Sequence, residues 1–420
     1  MNPIIFSEYI VVENPGSSVD PLGFLRPSSA LGDLLFKQFT VLSNHPSYHG
    51  FLCFLYLYLG KKDIKPGKNF SKEFRHLEAF WGILNSKANQ SILNVTKYDE
   101  LLAKENLSLR ETKMHLPLYN RLNYGTLGHY SSPSISWGLL NPKGTELTPL
   151  GQKLGMAWQE RGGLNFTALL DAWAQQESVS NISKFSDAID LFCLQAKPSA
   201  AEAQVWNEVI EAYCNKHPIV RPLWDSPLPS HILELQESAE TFAGFYPSVR
   251  NHFHEFSDLQ RRIGLVQQFE LLAGSAQFLF EWEYIRRTED GASALTPYEK
   301  IKERVIAALP ALCEAYLKVP ESVDAGKLFK TISLTHESSQ IPEVILAHHK
   351  QHQSSKGASN YIQDQAIVVR DRVDKKAFAA LLQTLSANVD PWANKIAWHY
   401  KRDWHFYRAN KWLKYAGRTQ

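Results

Sequence analysis

Cysteine and methionine are scarce in this chain, with four Cys and three Met in 420 residues. Cys53, Cys193, Cys214 and Cys313 form no CxxC pair, so a four-cysteine zinc site has no support. Each lies in an apolar, helix-like stretch where a buried reduced thiol is expected, and this suits a reducing, cytoplasmic setting. Long apolar runs are missing too. The strongest, Gly50–Leu59 (GFLCFLYLYL), has ten residues, about half of what a bilayer needs. A buried helix is expected there, and no membrane partner. The opening MNPIIFSEYIVVENPG lacks the basic stretch and apolar core of a signal peptide. Phosphate loops, dinucleotide-binding glycines and a serine elbow are also lacking. Gly125-Thr126-Leu127-Gly128 is followed by no GK[ST]. Acidic–basic neighbours such as Glu299-Lys300 and Asp374-Lys375 sit in helical contexts, which does not fit a strand-borne nuclease motif. The expectation is no enzyme, no catalytic residue, no metal and no cofactor.

What is present is apolar and aromatic: 44% hydrophobic residues, 12% aromatic, 11 Trp. That is enough for substantial cores, and the length suggests two or three domains. The net charge of +2 hides an asymmetry. Residues 1–165 carry +4, residues 166–345 carry −10 and residues 346–420 carry +8. Four regions are expected: a helical domain over 1–105, a winged-helix-like module over 106–165, an acidic helical domain over 166–345, and a basic C-terminal segment over 346–420. The fold class is mainly α and multi-helical, with the internal winged-helix-like α/β module and a basic aromatic C-terminal segment.

The first region holds two clear helical patterns. Tyr48–Leu59 is apolar throughout. Phe74, Leu77, Phe80, Trp81 and Leu84 keep a spacing of three and four, with Ser71 as a plausible cap. In the second region a helix is expected over 108–124 and loop over 124–138. Two short strands then flank the turn Asn141-Pro142-Lys143-Gly144. Thr148 caps the next helix, with Pro149 in its favoured first-turn position. Arg110, Lys113, Arg121 and Lys143 are the candidate contacts of such a module, to DNA or to protein. In the third region, 248–287 runs without proline and with spacings of three and four. It reads as one long helix or two end to end, the spine of a bundle or a partner-docking element.

The densest physical signal is the last thirty residues. Between Trp392 and Arg418 there are seven Lys/Arg and one acid, Asp403, interleaved with eight aromatic residues. Cations neutralise phosphates and aromatic rings stack on bases. Lys395, Lys401, Arg402, Trp404, Arg408, Lys411 and Lys414 are therefore candidate nucleic-acid contacts, with double-stranded DNA a candidate ligand. On a helix, Lys401, Arg408, Lys411 and Lys414 share a flank, while Trp404, Tyr407, Trp412 and Tyr415 fall to the other side. The alternative is an aromatic face docked on the core beneath a solvated basic face. His348, His349 and His352 form HHxxH, in which positions 348 and 352 share a helix face. The acidic base that HExxH hydrolases need is replaced by His349, so interface histidines are expected rather than metal ligands.

Several fragments together resemble the accessory subunit of Lamassu-type (Ddm-type) bacterial defence systems. They are Asp20-Pro21-Leu22-Gly23, the Tyr48–Leu59 helix, Phe74-Arg75 with Glu78, Leu147-Thr148-Pro149-Leu150-Gly151, and His349 with Gln353 and Lys356. Ser47 stands where that family has Arg. The resemblance implies a non-catalytic bridging subunit whose partners are an SMC-like ATPase and a nuclease effector. A stand-alone winged-helix DNA-binding regulator and a cryptic metal-dependent nuclease are the alternatives from other classes.

Overall fold

The computed structural model describes residues 20–39, 45–88, 90, 98–100, 125–174, 186–288, 291–358, 360–363, 366–367, 373–387, 392–401 and 405–418. It is mainly helical. In chain order the helices are α1 (Leu25–Phe36), α2 (Ser47–Lys61), α3 (Lys68–Lys87), α4 (Gly125–Ser136), α5 (Pro149–Gln159), α6 (Phe166–Ala174), α7 (Ser186–Phe192), α8 (Ala200–Lys216), α9 (Arg221–Asp225), α10 (Ser230–Glu234), α11 (Phe242–His252), α12 (Ser257–Arg286), α13 (Gly291–Leu295), α14 (Glu299–Leu317), α15 (Leu328–Ser333), α16 (Ile341–Ser355), α17 (Lys375–Ala387), α18 (Trp392–His399) and α19 (Phe406–Tyr415). Two antiparallel hairpins accompany them. In the first, β1 (Glu160–Arg161) pairs with β2 (Leu164–Asn165); in the second, β3 (Ile362–Gln363) pairs with β4 (Ala366–Ile367). Among the described residues no helix is long and apolar enough to cross a membrane.

The chain divides into two compact units. Unit 1 is Met1–Leu35 with Pro229–Asp403, and unit 2 is Phe36–Leu228 with Trp404–Gln420.

Unit 2 is built around α2. Twelve of its fifteen residues are buried, because a helix apolar on every side has no face to offer water. It crosses α5 closely, and glycine on both helices permits the approach. A Cβ at Gly50 would lie 2.4 Å from the Trp158 ring, and one at Gly155 would lie 2.8 Å from the Cys53 backbone. The expected α3 face (Phe74, Leu77, Phe80, Trp81, Leu84) is buried. The helix starts a turn earlier than its apolar rhythm, at Lys68, and Ser71 Oγ donates back to the Gly67 carbonyl.

Residues 125–136 form α4, not the expected loop. The composition (GTLGHYSSPSIS) is poor for a helix, but distant partners outweigh it. Glu78 of α3, 6% exposed, accepts the Thr126 backbone N–H at the helix start, where a carboxylate meets the positive end of the helix dipole. Gly125 there has φ +86°, and a Cβ would strike that same carboxylate. Further along, Tyr130 stacks on Tyr48 at 4.3 Å, and Ser134 Oγ lies 2.7 Å from His49 Nδ1. Beyond α4 the expected strand pair is a single bridge, Leu140 to Leu147. The turn between them is closed by Asn141, whose Oδ1 accepts the Thr145 N–H at 2.9 Å. Thr148 Oγ accepts the Gly151 N–H at 3.1 Å and caps α5, with Pro149 first in the helix.

Unit 1 is built around α12, 30 residues and about 45 Å long. The stretch read as one helix or two is two: α11 ends at His252, and 253–256 separate it from α12. Phe24 lies edge-on to Phe269 of α12 and stacks on Phe329 of α15.

Candidate nucleic-acid interface

The C-terminal helix α19 has one face locked into unit 2. Phe406, Ala409, Trp412, Leu413 and Tyr415 are buried. Trp412 stacks on Trp137 at 4.8 Å and takes Trp206 edge-on at 4.8 Å and Phe39 at 5.1 Å. Asn410 spends both ends of its amide on the Leu228 backbone, accepting from its N–H and donating to its carbonyl.

A buried polar network pins the end of the helix. Tyr415 Oη accepts from Arg161 Nη2 and donates to Glu202 Oε1, each at 2.7 Å. Arg161 also pairs with Glu202 at 2.7 Å and donates to the Leu191 carbonyl at 3.0 Å. Arg161 is 2% exposed and Glu202 is fully buried. Burial opposes the guanidinium charge, yet Tyr415 and Glu202 outweigh it and hold its pKa above the ordinary value. Burial and the Glu202 charge push the Tyr415 phenol well up, so it stays protonated. Sequence reasoning missed this trio, whose members lie 41 and 213 positions apart along the chain. Nothing local marks them, since an Arg in a two-residue strand and a Glu in the first turn of a helix look solvated until the fold encloses them.

The other face of α19 is open. Tyr407 is 66% exposed, and Lys411 and Lys414 are exposed. Their i, i+4, i+7 spacing puts all three on one side. Tyr407 therefore belongs with the lysines and not, as the sequence suggested, with Trp412 and Tyr415. Arg408 is half-buried beside them. Lys411 is exposed as a residue, but partial desolvation of its ammonium first, and the Arg408 charge second, lower its pKa. Neither Lys411 nor Lys414 pairs with a carboxylate among the described residues, whereas nearby Arg418 is paired with Glu211 at 2.7 Å and Asp225 at 3.5 Å. The Lys411 and Arg161 charges also act on His45, whose pKa falls to about 3, chiefly through burial.

Lys395 and Lys401 belong to unit 1. Lys395 is 8% exposed and its Nζ donates to the Thr384 carbonyl at 2.7 Å, a structural bond. Lys401 Nζ donates to the Gln236 carbonyl at 2.6 Å and lies 4.8 Å over the Trp398 ring. Lys143 is exposed at the tip of the 140–147 turn. Arg110, Lys113, Arg121, Arg402 and Trp404 lie outside the described residues.

The HHxxH histidines hold chain, not metal-ligand geometry. His349 Nδ1 meets the Pro21 carbonyl at 2.8 Å and His348 Nε2 the Leu22 carbonyl at 3.0 Å. His352 packs against Gly23. Among the described residues no three metal-ligating side chains come together. All four cysteines are free and buried, and burial raises the Cys214 and Cys313 thiols to about 12. No family model, curated protein or solved structure matches this chain.

Proposed function

We propose that this chain is a non-catalytic helical accessory protein that contacts nucleic acid through the exposed face of α19. The observation that carries the reading is the grouping of Tyr407, Lys411 and Lys414 on one side of a helix whose other side is locked into the core. A face held rigid loses little entropy when it binds. Lys411 and Lys414, which have no carboxylate partner among the described residues, gain most from a polyanion, the more so with the Arg408 charge acting on Lys411. The test is fluorescence anisotropy of the full chain with labelled oligonucleotides, single-stranded and duplex, between 50 and 300 mM salt as a rough range. Binding should weaken linearly in log–log form. Replacing Lys411 and Lys414 together with Gln should flatten that slope by about 1.4 to 1.8, two phosphate contacts' worth. A double variant that binds with the same affinity and slope would remove the basis for the reading.

The assembly in which this contact serves is proposed from the resemblance alone: a Lamassu-type defence complex, with an SMC-like ATPase and a nuclease effector as partners. The fragments that carry the resemblance fall at two joints. Asp20–Gly23 meets His349 and Gln353 in unit 1, and α2 packs with α3 and α5 in unit 2. The 140–147 turn leading into α5 is the part that supports a winged-helix-like description, with Lys143 at its tip as the contact. Affinity purification of the tagged chain from cells carrying its neighbouring genes tests the assembly. An eluate without an SMC-like ATPase counts against it.

A further inference from the structure

Resting on the nucleic-acid reading of α19, we infer that this face takes an unpaired single strand, with the Tyr407 ring stacking one base while Lys411 and Lys414 hold the phosphates that follow. Three observations and one property of duplexes converge. Tyr407 is 66% exposed although the other aromatic residues of α19, Phe406, Trp412 and Tyr415, are buried. It is thus the one ring of that helix available to a ligand. Lys411 lies one turn further on, a rise of about 6 Å, and Lys414 about 4.5 Å beyond that. Ring and cations therefore run along one line, as a stacked base and its trailing backbone do. A duplex hides its base faces, so a phenol ring held out beside two ammonium groups would meet only sugar and phosphate there. Finally, the helix offers no free amide to read a base edge in a groove. Its single Asn or Gln, Asn410, has both ends of its amide bonded to Leu228.

Stacking tolerates any base, so the face should show little sequence preference, and its hold should split into a salt-dependent part and a salt-independent part. Lys411 and Lys414 supply the first and Tyr407 the second. The substitutions are all at exposed positions, which leaves the packed side of α19 untouched.

The experiment measures binding of the full-length protein to labelled oligo(dT) and to a duplex of equal length at matched salt concentrations across one series, for the wild type, Tyr407→Ala, Tyr407→Phe and the Lys411→Gln/Lys414→Gln double variant. Oligo(dT) should bind at least about fivefold tighter than duplex. Tyr407→Ala should lose roughly five- to a hundredfold on oligo(dT), keep the salt slope, and bind duplex as before. Tyr407→Phe, which keeps the ring, should behave as wild type. Duplex binding as tight as oligo(dT), or a Tyr407→Ala variant unchanged on oligo(dT), overturns the single-strand inference. In either case a weakened lysine double variant still leaves the broader nucleic-acid reading standing. Failure of the wild type to bind either ligand overturns both.

Discussion

His349 and Pro21 stand 328 positions apart in the sequence and are joined by a hydrogen bond of 2.8 Å from imidazole Nδ1 to the proline carbonyl. The other ring nitrogen, Nε2, accepts the Tyr361 backbone N–H at 3.0 Å. One nitrogen must carry a proton and the other must not, so the bond pair fixes the neutral ring and its tautomer.

That geometry predicts a pH-dependent stability. Burial is the main cause lowering the His349 pKa from 6.5 to about 4; the bond to Pro21 opposes it, and the neighbouring His352 and His348 add to it. Asp20 favours charge on His348 and His352, while Lys356 disfavours it on His352. Between pH 4 and 6.5 the unfolded chain binds more protons at this site than the folded one. The contribution is therefore complete above 6.5 and is lost as pH falls towards 4, amounting to roughly 2–3 kcal/mol. Urea unfolding at a series of pH values should show wild type losing more stability on acidification than His349→Gln, which can keep both bonds without titrating. Equal losses would refute the role given to His349.

The Arg161–Glu202 pair predicts opposite outcomes for single and double replacement. Glu202→Gln strands a buried guanidinium and should cost about 3–5 kcal/mol. Tyr415→Phe removes one hydroxyl from between them and should cost about 1–3 kcal/mol. Arg161→Met with Glu202→Leu removes both charges and should recover most of the Glu202→Gln loss. Denaturant midpoints check all three. A double variant as unstable as the single one would mean that the pair itself stabilises the core.

Two glycines of the α2–α5 region should respond in opposite directions. A Cβ at Gly155 would meet Cys53 backbone atoms at 2.8–2.9 Å, and backbone cannot step aside. Gly155→Ala should destabilise by about 1–3 kcal/mol. At Gly60, near the end of α2, a Cβ would meet nothing within 4 Å. Gly60→Ala should be neutral or stabilise by up to about 1 kcal/mol. Thermal unfolding of both variants distinguishes them, and a destabilised Gly60→Ala would contradict the open surroundings described.

Lys395 separates basic composition from binding. Its ammonium is bonded inside unit 1 to the Thr384 carbonyl, so Lys395→Gln should lower stability by about 1–3 kcal/mol and leave oligonucleotide affinity unchanged. An affinity loss matching that of the Lys411/Lys414 double variant would return Lys395 to the interface.

Much of the helical content was legible because it follows from local spacing. The apolar α2, the face of α3 and the Thr148 cap are all decided within a few turns of chain. The α4 helix was not legible, because its glycine- and serine-rich sequence becomes helical through Glu78, 48 positions away. The α12 spine was legible in its rhythm, which left one helix or two open; where it breaks from α11 was not legible. At the candidate site the sequence marked α19 as basic and aromatic and placed Tyr407 on the wrong side, since it could not show which flank the core would claim.

The sequence by itself determined that this is a mainly helical chain with buried thiols and a basic, aromatic C-terminal segment. Those properties depend on composition and on periodicities of three and four. Only the tertiary structure decided which cations remain open. Lys395 was taken into the core of unit 1, Arg161 was enclosed with Glu202 and Tyr415, and Lys411 and Lys414 were left outward beside Tyr407. Charge is a property of the residue, but desolvation and pairing depend on neighbours that the fold brings together, 11 positions apart for Lys395 and Thr384 and 254 for Arg161 and Tyr415.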